Sequence, residues 1–386
     1  MGSNHKTTFV KERLDLLEKS GLYRRLRTLV ANGPTAKVDG KEVINLCSND
    51  YLGLSQNTHV VEKTVRALKQ VSQCSSRLIA GNHPKIIELE ELLADHRRKE
   101  SALVYPTGYA ANLGVVMTIA DKKTTIFSDE LNHASIVDAC RLSGATVTVF
   151  RHNDIGHLQK LMRRGQGRKI VITEGIFSMD GDIGKLSEIQ SIADHYDAIT
   201  IIDDAHGDFI FGPAFSGIPA KLGVNFDIHV SSMSKALGCF GGYVATTMPI
   251  RELLINTSRQ FIYTSALPVH LCSAAITAIP IAKRGHLQKR LQWNILYFSS
   301  AMKRLGFELG SSASQIIPIM IGREVQALEL SDELLKEGVF VQAIRYPTVK
   351  KGQARLRISL SAIHRQEHLD SAVEAFRRVG KKKGLL

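Results

Sequence analysis

Between residues 100 and 235 short apolar runs alternate with stretches long enough to be helices, and this alternation restricts the fold more than any other feature. Ala102–Tyr105, Thr125–Phe127, Thr146–Phe150, Lys169–Thr173, Ile199–Asp203 and Ile228–Ser231 read as buried strands. Interleaved with them, Ile86–Arg97, Ala134–Leu142, Ile155–Arg164 and Ser187–His195 read as helices. A strand that must be followed by a parallel neighbour needs a crossover, and a helix is the usual one. The pattern therefore predicts an α/β fold with a mainly parallel sheet covered on both faces. Ligands of such sheets sit beyond the carboxyl ends of the strands, so the residues just after each apolar run are where chemistry is expected.

The flanks read differently. Residues 1–45 are expected to be a helical segment, because Leu14, Leu16, Leu17, Leu22, Leu26 and Leu29 recur at three-to-four spacing among charged residues. Residues 46–285 form the expected large α/β domain. Residues 286–386 form a smaller α+β domain, with a helix over Leu287–Leu305 and strands over Ile316–Ile321, Val339–Ile344 and Arg355–Leu360.

Composition removes several classes of function. With 44% hydrophobic and 23% charged residues the chain is not a disordered one. No apolar run approaches the ~18 residues of a membrane span. The first twenty residues lack an apolar stretch followed by a small-residue cleavage site, so the expected location is the cytoplasm. Cys47, Cys74, Cys140, Cys239 and Cys272 are odd in number and show no CxxC spacing; free thiols are expected, with no metal site and no disulfide framework. GxGxxG, GxxxxGK[ST] and GxSxG are absent, against nicotinamide, P-loop and α/β-hydrolase chemistry.

The net charge is +13, and residues 345–386 alone carry eleven basic against three acidic residues. A basic face suits nucleic acid, anionic lipid or a phosphorylated small molecule equally. A solvated tail explains Lys381–Lys383 without any partner. No nucleic-acid-binding motif or interleaved aromatic stripe accompanies the charge, so no nucleic-acid partner is expected.

Two strand ends carry the strongest chemistry. Ile201-Ile202-Asp203-Asp204-Ala205-His206-Gly207 ends an apolar run in a carboxylate and an imidazole. Val230-Ser231-Ser232-Met233-Ser234-Lys235-Ala236-Leu237-Gly238 sets a lysine among small and apolar neighbours. Burial there lowers an ammonium pKa, as an amine needs before it can condense with an aldehyde. A single lysine on a loop is most often solvated and inert, so the context decides. Pyridoxal phosphate (PLP), an aldehyde cofactor that acts as an electron sink, needs four things of its protein. These are an amine, a carboxylate for its ring nitrogen, a flat group against the ring and a phosphate cradle. Lys235 and Asp203 offer the first two. His133, in Asn132-His133-Ala134-Ser135, offers the third. Gly108 and Tyr109 open a helix after a strand, so their N–H groups offer the fourth.

On these residues the chain resembles the α-oxoamine synthases, PLP enzymes of the aspartate-aminotransferase fold (fold type I) that act as homodimers. The resemblance runs through SNDYLGLS (48–55), GYAAN (108–112), DELNHASIVD (129–138), TEGIFSMDGD (173–182), DDAHG (203–207), SMSKALG (232–238), YTSALP (263–268) and LRISLSAIH (356–364). It implies decarboxylative condensation of an amino acid, alanine foremost, with an acyl thioester carried by coenzyme A or an acyl-carrier protein; the pimeloyl reaction of biotin synthesis is the member most resembled. It implies Lys235 as cofactor amine and acid/base, Asp203 at the pyridine nitrogen and His133 on the ring. It further implies Ser178 and His206 at the phenolate oxygen, with Ser232, Gly108 and Tyr109 on the phosphate. Thr264 would reach the neighbouring subunit's phosphate, Arg357 and Asn49 the substrate carboxylate, and Glu174 would lie near the reacting centre.

Plainer readings exist for several of these. Asn49 and Asp50 could cap the turn at Gly53, Ser178 could cap a turn, His206 could be a satisfied structural histidine, and Arg357 could form an ordinary salt bridge. The rival reactions are condensation of glycine with an acetyl thioester and, of a different class, a non-catalytic partner subunit, which would have no need of Lys235. 5-Aminolevulinate synthase and serine palmitoyltransferase are disfavoured, the latter partly for want of a membrane segment. Two departures from the family pattern, Cys74 before Ser75-Ser76-Arg77 and Val269 after YTSALP, bear on the acyl pocket and the subunit contact.

Overall fold

The computed structural model describes residues 5–386; residues 1–4, the start of the segment expected to be helical, lie outside them. Seven strands form the central sheet, in the spatial order 101–105, 242–246, 228–232, 199–203, 168–174, 124–129, 146–150. All run parallel except Gly242–Thr246, which is antiparallel to both neighbours. The sequence reading missed this strand. Residues 233–241 between it and Ile228–Ser232 are too few for the dozen or so residues of a parallel crossover, so the chain must return antiparallel. That same tight return carries Lys235.

The central strands bury both faces. Phe127, Val171 and Ile202 pack into one layer, and Ile126, Ile170, Ile172, Ile201 and Ile228 into the other, where the helix Gly108–Ile119 adds Ala111, Val115 and Val116. The alternation of side chains along each strand makes this division unavoidable. Thr146–Phe150 departs from its expected burial: it is the sheet's edge, and Val147 and Val149 are exposed.

The N-terminal expectation is corrected. Thr8–Lys19 is helical, but Gly21, at φ 68°, ends the helix in the left-handed region, and the N–H of Leu22 closes onto Leu17 O. Leu26 is exposed coil, while Leu29–Asn32, Thr35–Val38 and Lys41–Asn45 are strands. Ala36, Val38 and Val43 are the buried members of an alternating pattern that three-to-four leucine spacing had masked. These strands extend a sheet that ends with Val339–Phe340, paired parallel to Lys41–Asn45. The single strand expected over Val339–Ile344 is therefore two: Gln342–Ile344 belongs to another sheet, beside Ala354–Ser359 and Ile316–Gly322.

The C-terminal charge has a structural use. On the helix Gln366–Lys382 and just beyond it, Arg378 pairs with Glu337 (2.8 Å), Lys382 with Glu333 (2.5 Å) and Lys383 with Glu329 (2.8 Å). Glu329 and Glu333 lie on the helix Glu324–Lys336 and Glu337 just after it, so much of the basic stripe is neutralised within the fold. Among the described residues no helix is long and apolar enough to cross a membrane.

Candidate active site

The carboxyl ends of the central strands enclose a cavity of about 200 Å³ lined by Gly108, Tyr109, His133, Glu174, Asp203, His206, Ser232 and Lys235, all expected from the sequence. Thr107, Asn112, Ser135, Ala205, Ser234, Phe240 and Gly241 complete it and had no assigned role. Asn49, Ser178 and Arg357 line an adjoining cavity that shares His133, His206 and Lys235 with the first. Thr264 reaches neither; it lies with Arg77, Tyr105 and Phe261 in a separate small pocket.

Lys235 is half-buried, and its Nζ lies 3.0 Å from His206 Nε2. Loss of water holds the ammonium below its ordinary pKa, although Asp203 and Glu174 pull the other way. His206 is buried, and burial together with the charges of Lys235 and Arg357 keeps its pKa well below the usual value, so it is neutral. Asp203 ends the strand Ile199–Asp203. Its Oδ2 accepts from Asn112 Nδ2 (2.7 Å) and its Oδ1 from the N–H of Ala205 (3.0 Å).

Asn112 Nδ2 also donates to Ser135 Oγ (2.9 Å), and Ser135 Oγ lies 2.8 Å from His133 Nδ1. One amide thus orients the Asp203 carboxylate and, through Ser135, the His133 ring. GYAAN contains this asparagine, and its position one helical turn inside a strand-end helix was the available signal. Glu174 stands beside Asp203 in the sheet register; its Oε1 accepts the backbone N–H of His133 (2.5 Å). Burial, then the Asp203 charge, raise its pKa well above the ordinary range. Its role here is to hold the His133 turn.

The helix Gly108–Ile119 begins with Thr107, whose Oγ1 accepts from Ala110 N (3.0 Å). This cap takes the third N–H of the helix and leaves those of Gly108 and Tyr109 directed outward, with Ser232 and Ser234 (Oγ to Oγ 2.8 Å) beside them. The turn is pressed tightly onto the antiparallel strand: a Cβ at Gly242 would stand 2.3 Å from Gly108 N and 2.4 Å from Thr107 C, so only glycine fits beneath the cradle.

On the other side, Arg357 in the buried strand Ala354–Ser359 donates from Nε to Ser178 O (2.5 Å) and from Nη1 to Ser359 Oγ (2.8 Å) and Asn49 Oδ1 (3.3 Å). The role of Ser178 seen in these contacts is its backbone carbonyl. Cys47, Met179, Phe340 and Ile344 supply the apolar walls of this cavity. Burial pushes the Cys47 thiol up to about 12, so it is a neutral wall.

His152 braces the two loops that bear His133 and Ser178. Its Nδ1 lies 2.9 Å from Asp129 and its Nε2 2.8 Å from Asp182. Burial opposes its protonation, but the two carboxylates win and raise its pKa from 6.5 to about 9. The linked stability is fully present below the unfolded value near 6.5 and is lost as pH climbs through 9. Urea midpoints are expected to fall between pH 6.5 and 9.5 by the equivalent of roughly 2–3 kcal/mol. His152→Gln should flatten that slope, and an unchanged slope in the variant would contradict the bracing role.

A family model for aminotransferase class I and II matches residues 41–376. The chain belongs to the class I and II aminotransferase family. Within this family it is 42% identical to the 8-amino-7-oxononanoate synthase of Thermoanaerobacter pseudethanolicus over 100% of both chains. Among solved structures it matches serine palmitoyltransferase with PLP at TM-score 0.93 and 29% identity, covering 100% of both chains. It matches the 8-amino-7-oxononanoate synthase of Francisella tularensis at TM-score 0.77 and 28% identity, covering 89% of this chain and 99% of that one. Shape and sequence rank these relatives differently. Chain shape is common to the α-oxoamine synthases, so full-length identity is the more specific measure. The chain is a PLP-dependent α-oxoamine synthase of fold type I.

The residues present fit PLP. The N–H groups left over at Gly108 and Tyr109 suit a phosphate, the part-buried Lys235 amine suits an aldehyde, and Asp203, fixed by Asn112, suits a ring nitrogen.

Proposed function

We propose that this site joins L-alanine to a pimeloyl thioester, with release of the thiol and carbon dioxide, to give 8-amino-7-oxononanoate for biotin synthesis. The observation that carries the reading is the shared cavity: Lys235 and Arg357 both line it, together with the apolar side chains of Cys47, Met179, Phe340 and Ile344.

When bound, PLP supplies an electron-poor ring that stabilises negative charge at the amino acid's α-carbon. Arg357, already fixed through Nε and Nη1, binds the substrate carboxylate beside Asn49. Lys235 takes the proton from the α-carbon and later returns it. Asp203 holds a proton at the ring nitrogen. The ring of His133 covers the face, and Ser232 with the N–H groups of Gly108 and Tyr109 grips the phosphate. Cys47, Phe340 and Ile344 are the apolar lining that would face the methyl group of alanine.

The acyl donor enters by a groove of about 850 Å³ that shares His133 and Ser178 with the site and includes Leu131, Val137, Arg141 and Lys350. It is lined by Arg24, Arg141, Lys350 and Arg355 together with Glu130, Asp138 and Asp180, and its volume would admit the thioester arm of either coenzyme A or a carrier protein.

We read the enzyme as a homodimer. Leu78 and Ile79, on the short helical segment Arg77–Gly81, and Tyr263, just after the helix Arg259–Ile262, are exposed beside a Ser76–Ser265 bridge, and Phe240 is half exposed at the cavity itself. Thr264 follows Tyr263, in keeping with a role at the second subunit's site. Both departures from the family pattern, Cys74 and Val269, flank these same segments. Five free thiols suit the reducing cytoplasm.

The test is thiol release from the loaded enzyme with alanine, glycine or serine against pimeloyl and acetyl thioesters. Alanine with pimeloyl is expected to exceed every other pair by at least about tenfold in kcat/KM. Preference for glycine with acetyl would replace this reading by its rival.

A further inference from the structure

The side chains around His206 form a chain whose donors and acceptors can be assigned one after another. Arg357 Nη1 lies 3.3 Å from the side-chain oxygen of Asn49, and Ser359 Oγ lies 3.4 Å from the same atom. A guanidinium only donates, so the Asn49 atom facing it is the carbonyl oxygen and not the amide nitrogen. Tyr51 Oη is 3.0 Å from that oxygen, which cannot donate, so the tyrosine gives its proton to Asn49. Tyr51 Oη is also 2.7 Å from His206 Nδ1. Assigning its one proton to Asn49 leaves the hydrogen in this contact to Nδ1. A neutral imidazole carries one N–H; the His206 Nε2 that faces Lys235 Nζ at 3.0 Å is therefore an acceptor. Tyr51 is fully buried and its hydroxyl has no solvent to turn toward.

We infer that Tyr51 is a positioning residue: held by Asn49, it locks His206 in the Nδ1–H tautomer, so that Lys235 donates a hydrogen to Nε2 and keeps its nitrogen lone pair free to point into the cavity. In the cofactor-free protein the opposite tautomer would place Nε2–H on that lone pair and quench the nucleophile. Sequence reading placed Tyr51 only within SNDYLGLS and gave it no role. The inference rests on the reading of Lys235 as the cofactor's amine.

The test uses the full-length protein freed of cofactor. Tyr51→Phe keeps the ring and removes the hydroxyl; Asn49→Ala removes the acceptor and releases the Tyr51 proton toward Nδ1. Both variants are expected to slow the condensation of added PLP, followed by its absorbance, by about tenfold, the effect of one misdirected hydrogen bond. Both should bind 4′-deoxypyridoxine phosphate, which lacks the aldehyde, as the parent does. In ¹⁵N-histidine spectra of the cofactor-free protein the His206 signals should change from the Nδ1–H pattern toward Nε2–H. An unchanged condensation rate in Tyr51→Phe, or an equal loss of aldehyde and deoxy ligand, would overturn the inference. Lys235→Ala separates the two levels: if it still condenses with PLP, the reading beneath has failed, whereas if it does not and Tyr51→Phe behaves as the parent, only the tautomer lock has failed.

Discussion

Replacing Lys235 by alanine is expected to lower turnover by more than about 10⁴-fold, because general acid–base and covalent roles are lost together. The visible absorbance of the PLP-loaded protein should vanish with the amine. The fold should survive. The amine's hydrogen-bond contact is His206, and the tight return that carries the residue is held by backbone bonds: Gly238 N–H to Lys235 O (3.0 Å) and Cys239 N–H to Met233 O (2.9 Å). Near-parental melting with activity gone is the expected pair of results. Lys235→Arg should be as inactive, since a guanidinium does not give up its proton. Repeated turnover by Lys235→Ala would remove the assignment.

The largest expected effect on stability lies behind the site, at Arg97. This buried guanidinium donates to Asp204 (2.8 Å), to Ser216 O (2.9 Å) and to Tyr243 Oη (2.9 Å), and Nη2 stands 3.1 Å from Asp208. Asp208 also receives Ser231 Oγ (2.7 Å), and His96 Nε2 lies 2.9 Å from it. Burial alone would raise both carboxyls. Arg97 and its neighbours hold Asp208 well below the ordinary range, while Asp204 stays raised, to about 7. Arg97→Met fills similar space but leaves two buried carboxyls without their cation, at a cost of about 3–5 kcal/mol. The urea midpoint should fall accordingly with an unchanged slope. Adding Asp208→Asn should recover part of the loss, because the two residues share one network. A midpoint shift worth less than ~1 kcal/mol would show that the cluster carries no such burden. The same network fixes the turn from Asp203 to His206, since Asp204 sits between them.

What could be read along the chain followed period and residue type. Ile199–Asp203 and Thr146–Phe150 were expected with the bounds they have, because isolated apolar runs between helical stretches have few other places to go. Gly242–Thr246 escaped notice because it begins on the second of the paired glycines Gly241-Gly242 and returns without a helix. The strands at 29–45 escaped because leucine spacing imitated a helix where Gly21 had already ended it. In the site, Lys235, Asp203 and His133 were legible as chemically special types at strand ends. Asn112, Ser135 and Tyr51 were not: each is an ordinary polar residue in its own segment, and only its distance to a residue 23 to 155 positions away gives it a task.

The order of residues by itself settled the class of fold and the cofactor's chemistry and singled out the groups proposed to touch it, since those depend on local pattern and on functional groups that no neighbour can supply. The folded molecule decided the rest. It brought Arg357 from the small sheet to the edge of the large one, paired the C-terminal cations with Glu329, Glu333 and Glu337 at the surface, and set Asn49, Tyr51 and His206 in one hydrogen-bonded chain. Hydrogen-bond direction and charge pairing act over about 3 Å in space. Sequence separation says nothing about them until the chain has closed.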